Sequence, residues 1–99
     1  MRKLILSAVV AMSFNATASN LDNCYKLEEL GEVIMTARQS GRSMGDLMKI
    51  ADGNELVEAM VFDAFEAPLW STDENKQKEI NNFKSSMFKM CYKNIKEAI

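Results

Sequence analysis

Residues Gly41 to Gly45 read G-R-S-M-G, the G-x-S-x-G spacing of the strained turn that presents a nucleophilic serine in α/β-hydrolases. Such a serine needs a base to take its proton, and in that architecture the base is a histidine. The chain has no histidine, and the pattern ahead of Gly41 is helical rather than strand-like. Ser43 is therefore read as a helix cap, with Asp46 three residues on in a capping-box-like arrangement. Without histidine, and with Cys24 and Cys91 joined to each other, zinc would have only carboxylate ligands, which is rare in stable sites. A disulfide also removes the thiolate that a cysteine enzyme requires. Glu28, Glu29 and Glu32 are clustered enough to suggest paired-carboxylate glycoside chemistry. Their spacing puts them on the outward arc of a helix, which reads as a solvated face. No catalytic, cofactor-binding or metal-ligating residue is assigned, and the chain is not expected to be an enzyme.

What remains are residues that touch rather than react. Lys78, Lys89, Lys93 and Lys96 form a basic stripe opposite the apolar face of the last helical segment, fit either for solvent or for an anionic surface. Phe62 projects between Glu58 and Glu66 on the polar arc of its helix. It is expected to be covered by the Pro68-Leu69-Trp70 link or, failing that, to meet a partner. Phe62, Trp70 and the four lysines are the candidate partner-contact residues. Of the eight methionines, Met60, Met87 and Met90 fit core arcs. Arg38, inside the apolar arc of the first helix, and Asp63, bordering that of the third, are placed for an interhelical ion pair.

The elements that hold these residues begin after an N-terminal leader. Met1-Arg2-Lys3 is basic, Leu4 to Phe14 is an apolar run, and Ala16-Thr17-Ala18 is an A-x-A site, the three-part layout of a cleaved secretory signal peptide. The run is too short for a spanning helix, which needs roughly 20 residues. Residues 1–18 are thus expected to be the signal, and 19–99 one helical bundle domain in the periplasm with no stable membrane span after cleavage. In that oxidising compartment an even pair of cysteines reads as a disulfide. Closing a loop of about 68 residues contributes roughly 4 kcal/mol in the chain-entropy view. Removing Arg2 and Lys3 from twelve basic residues leaves ten against fourteen acidic ones. That balance lacks the strongly basic footprint of a nucleic-acid binder.

Periodicity and caps predict four helices and no strand. The first spans Asp22 or Asn23 to Gln39, with Cys24, Leu27, Leu30, Gly31, Ile34 and Ala37 on one arc and Glu28, Glu29, Glu32 and Gln39 opposite. Gly41 ends it as a C′ residue. Ser43 opens a short second helix closed by Gly53, and Asn54 caps a third from Glu55 to Ala67, broadly apolar and so expected at the centre. Pro68 stops the third. Ser71 and Glu74 form a capping box for the fourth, in which Ile80, Phe83, Met87, Cys91 and Ala98 share an arc. The fold class is all-α: a small bundle of about four helices, the first and last antiparallel and joined by Cys24–Cys91. The echo between Cys24-Tyr25-Lys26 and Cys91-Tyr92-Lys93 reads as chance, because neither neighbourhood repeats further.

The stretch Cys24 to Gly41 (CYKLEELGEVIMTARQSG), the segment Ser71 to Phe83 (STDENKQKEINNF) and the late Cys91-Tyr92 resemble a group of small exported proteins encoded in tailed phages and bacterial prophages. The shared parts are Cys24 and Leu27, Ile34 to Gly41, Met44 to Met48, Pro68, Ser71 to Glu74, and Cys91-Tyr92. The resemblance implies an exported helical domain and no particular activity. A weaker similarity, in size, helicity and a single disulfide, is to small periplasmic acid-stress chaperones. The expected function is a non-enzymatic periplasmic interaction protein of phage or prophage origin, whose partner is an envelope or phage protein and which modulates lysis or superinfection. The alternative is an acid-activated holdase that works by protonating carboxylates, since no histidine is present to switch near neutrality. Oligomeric state is not written in the pattern.

Overall fold

The computed structural model describes residues 11–98, with side-chain surroundings for residues 21–96. The basic start and the first part of the apolar run lie outside the described residues, as does the Ala98 side chain. Four helices follow one another: α1 (Ala11–Gln39), α2 (Met44–Ala51), α3 (Glu55–Glu66) and α4 (Asp73–Ala98). There is no strand among the described residues. The two long helices, α1 and α4, form the most extensive contact. They run antiparallel and are joined by the Cys24–Cys91 disulfide, with the two Cα atoms 5.4 Å apart. The short α2 and α3 pack on each other and against α1.

One core serves all four helices. Ile34 and Met35 of α1, Leu47 of α2, Met60, Val61 and Ala64 of α3, and Ile80, Phe83 and Met87 of α4 form a single buried cluster. Burying side chains of this kind contributes about 1.5–3 kcal/mol each relative to exposure. The α1 arc holds, with Leu27, Leu30 and Ala37 packed against the cluster at its edge. Gly31 allows the close approach of the long helices. A Cβ there would lie 3.0 Å from Cγ of Met87 and 3.4 Å from Cα of Lys84.

The turns follow from individual residues. Gly41, at φ 91°, ends α1 in a Schellman turn: the Arg42 N–H donates to the Ala37 carbonyl at 3.1 Å and the Gly41 N–H to that of Arg38 at 3.0 Å. Ser43 caps α2, its Oγ accepting from the Asp46 N–H at 3.1 Å. Asn54 caps α3 through Oδ1, which accepts from the Val57 N–H at 3.1 Å. Ala67 is extended (φ −78°, ψ 146°) as the residue before a proline should be. The cap of α4 is Thr72 rather than Ser71: its Oγ1 accepts from the Asn75 N–H at 3.2 Å. A one-residue shift in where the helix begins moves Glu74 out of the third helical position, and the expected box with it.

Three further expectations are corrected. The first helix does not begin at Asp22 or Asn23; it is continuous from Ala11, so Ala16–Ala18 is helical in the intact chain. A side-chain cap is required only where preceding residues leave the first N–H groups unpaired, and here the ladder continues upstream. The third helix is not central. α1 touches all three others, whereas α3 leaves Leu56 and Phe62 exposed, because only the long pair runs through the whole domain. Met90 is not a core residue. It is 41% exposed, lying on the edge of the α4 arc that Met87 and Cys91 centre.

Candidate partner-contact surface

Two side chains of the C-terminal turn of α1, Arg38 and Gln39, hold the α3–α4 link. Gln39, expected on the solvent side, is 3% exposed. Its Nε2 donates to the Pro68 carbonyl at 2.9 Å, and its Oε1 accepts from the Trp70 N–H at 3.0 Å. Its own carbonyl accepts from Nζ of Lys76 at 2.7 Å. One amide side chain thus satisfies two backbone groups of the α3–α4 link, an arrangement no helical wheel reveals because the partner is a loop. Arg38 beside it does not pair with Asp63, which is exposed. Its guanidinium donates to the Ala67 carbonyl at 2.8 Å and stacks 4.6 Å from the Phe65 ring centroid. The expected ion pair gives way because a carbonyl and an aromatic face accept the cation without desolvating a second charge.

These contacts account for the most distinctive segment of the chain. Within Ile34 to Gly41, Ile34 and Met35 fill the core, Arg38 and Gln39 clasp the link, and Gly41 makes the turn. The same holds for Cys24 and Cys91 in the bridge. The pattern that looked most like a signature is structural.

The candidate contact residues are all at the surface, but they do not converge. Phe62 is 59% exposed and the link does not cover it, because Gln39 and Arg38 hold that link against α1 instead. Trp70 is 37% exposed and its indole Nε1 donates to Oε1 of Glu79 at 2.9 Å, which fixes it beside the start of α4. Lys78, Lys89, Lys93 and Lys96 are exposed. Lys78 and Lys96 are separated by about 27 Å along the helix, so Trp70 and Lys78 mark one end of α4 and the other three lysines the opposite end.

Sequence reasoning missed two apolar features at that opposite end. Tyr25 packs on Phe88 with ring centroids 5.2 Å apart, and Phe88 stacks with Tyr92 at 6.5 Å. The two tyrosines that follow the two cysteines therefore meet on one aromatic residue, so the Cys-Tyr-Lys echo has a spatial meaning. On the other flank an open groove of about 320 Å³ runs between Leu27, Leu56, Met90 and Ile95. Ser43 Oγ accepts from the Asp46 N–H, and the Asp46 carboxylate pairs with Arg42 at 3.7 Å. Compared with protein-family models, curated proteins and solved structures, the chain matches none.

Proposed function

We propose that this chain is exported to the periplasm by its N-terminal leader and acts there as a non-enzymatic interaction protein of phage or prophage origin. It binds an envelope or phage protein and so modulates lysis or superinfection. The observation that carries the reading is the Cys24–Cys91 disulfide, which requires an oxidising compartment to persist. It is supported by the division of labour on the molecule. The residues of the distinctive segments hold the fold, and what is left for function is a surface with an unpaired Phe62, a half-exposed Trp70 and a basic stripe. Aromatic residues of this kind are the usual anchors of protein contacts.

The test is made in a susceptible host. Cells expressing the full chain are challenged with phage alongside cells expressing it without residues 1–18, which keeps it in the cytoplasm. A shift in lysis time or plating efficiency confined to the exported form, and lost in Phe62→Ser, is the expected result. Equal behaviour of the two forms overturns the reading.

A further inference from the structure

We infer that the disulfide end of the long hairpin is a docking surface for anionic phospholipid headgroups, formed by Lys89, Lys93 and Lys96 with Tyr25 and Tyr92 as interfacial anchors. This deepens the envelope reading, on whose export step it rests.

Charge comes first. From Ile80 to its end, α4 carries four lysines against the single carboxylate of Glu97. Lys84 is engaged by Glu32 at 3.3 Å. The other three are exposed and lie within about 60° of one another on the helix, on the side turned away from the buried arc. On α1 the same end has Asp22, Glu28 and Glu29 against Lys26, so the positive excess belongs to the outer side of α4 alone. Clustered lysines next to an anionic leaflet each strengthen binding about fivefold.

The second observation is what flanks the lysines. Tyr92 is exposed on one side of the stripe, stacked through Phe88 to Tyr25. Met90 is exposed on the other, at the lip of the Leu27–Leu56 groove. Tyrosines with an apolar body and a polar tip, beside lysines, are the residue types that settle at a bilayer–water interface.

Register supplies the third. The bridge sets Cys91 level with Cys24, so in the antiparallel pair Lys96 lies level with Ser19. α1 is continuous helix from Ala11, and the end of the apolar run at Phe14 is about 8 Å further along. The stripe therefore sits at the end of the domain from which the chain's N-terminal segment continues.

The experiment floats the oxidised full chain with vesicles of phosphatidylcholine alone and with vesicles containing phosphatidylglycerol. The leader offers its apolar run to both vesicle types but its basic start, Arg2 and Lys3, only to the anionic ones, so the α4 lysines are read from the difference between wild type and variant on the phosphatidylglycerol vesicles. Binding to the phosphatidylglycerol vesicles should fall on the order of 100-fold in K89Q/K93Q/K96Q, with phosphatidylcholine binding unchanged. Lys78→Gln, at the far end of the stripe, should stay within about twofold of wild type. Helix content and the absence of free thiols check folding, and Lys96→Gln alone, on the last turns, should lose about fivefold if the triple variant does not fold. Equal wild-type binding to both vesicle types, or a loss in Lys78→Gln matching that in the triple variant, overturns the inference. If equal vesicle binding accompanies an export-dependent lysis phenotype, the lipid contact is refuted and the envelope function stands.

Discussion

Replacing Gln39 by alanine separates a surface glutamine from a structural one. On a solvated helix face the change would stay within about 0.5 kcal/mol. In the folded chain, Gln39→Ala removes the hydrogen bonds from Nε2 to the Pro68 carbonyl at 2.9 Å and from the Trp70 N–H to Oε1 at 3.0 Å. It also opens space at a residue 3% exposed. A net hydrogen bond contributes about 1 kcal/mol, and a partly buried group left unpaired costs more. The expected loss is about 2–3 kcal/mol, or roughly 10–20 °C in Tm for a domain of this size. Urea unfolding of the oxidised protein, followed by helix content and by fluorescence, measures it. Trp70 is the single tryptophan and its own N–H is one of the groups released, so its native emission should shift to the red before unfolding begins. Gln39→Glu should be no better than alanine, since a carboxylate cannot donate to the Pro68 carbonyl. A loss under 0.5 kcal/mol with unchanged Trp70 emission would refute the clasp.

Four other outcomes follow from the geometry. Cys24→Ser or Cys91→Ser should lower stability by roughly 2–5 kcal/mol in denaturant titration, and the wild type should show no free thiol when denatured. Ser43→Ala should cost about 1 kcal/mol, and a fluorophosphonate probe should leave Ser43 unlabelled; labelling there would restore a nucleophile. Gly31→Leu should cost about 3 kcal/mol by overpacking, since even a Cβ meets Met87 at 3.0 Å, and should slow reoxidation of the bridge; unchanged melting would mean α1 and α4 are not closely packed there. Asp63→Asn should leave Tm within the range of a surface change while Arg38→Ala lowers it by about 2 kcal/mol; equal losses in both would reinstate the ion pair.

Much of this protein is local and therefore legible in order of residues. Gly41, Ser43, Asn54 and Pro68 act through neighbours three to five positions away, so the helix ends they make could be read directly. The buried arcs of α1 and α4 follow from a fixed angle per residue, and an even pair of cysteines, one on each, was enough to join the first helix to the last. What depended on distant chain was decided only by the tertiary structure. Gln39 looks solvated on its own helix and is buried by a loop some thirty residues later. Arg38 exchanges a foreseeable carboxylate for a carbonyl and a ring. Met90 and Phe62 have apolar chemistry that predicts burial, yet no helix arrives to cover them. Tyr92 meets Phe88 as its i+4 neighbour on α4, but Tyr25 reaches the same ring only because the two long helices pack side by side. Periodicity states which way a side chain points from its own axis, and only packing states what, if anything, stands opposite.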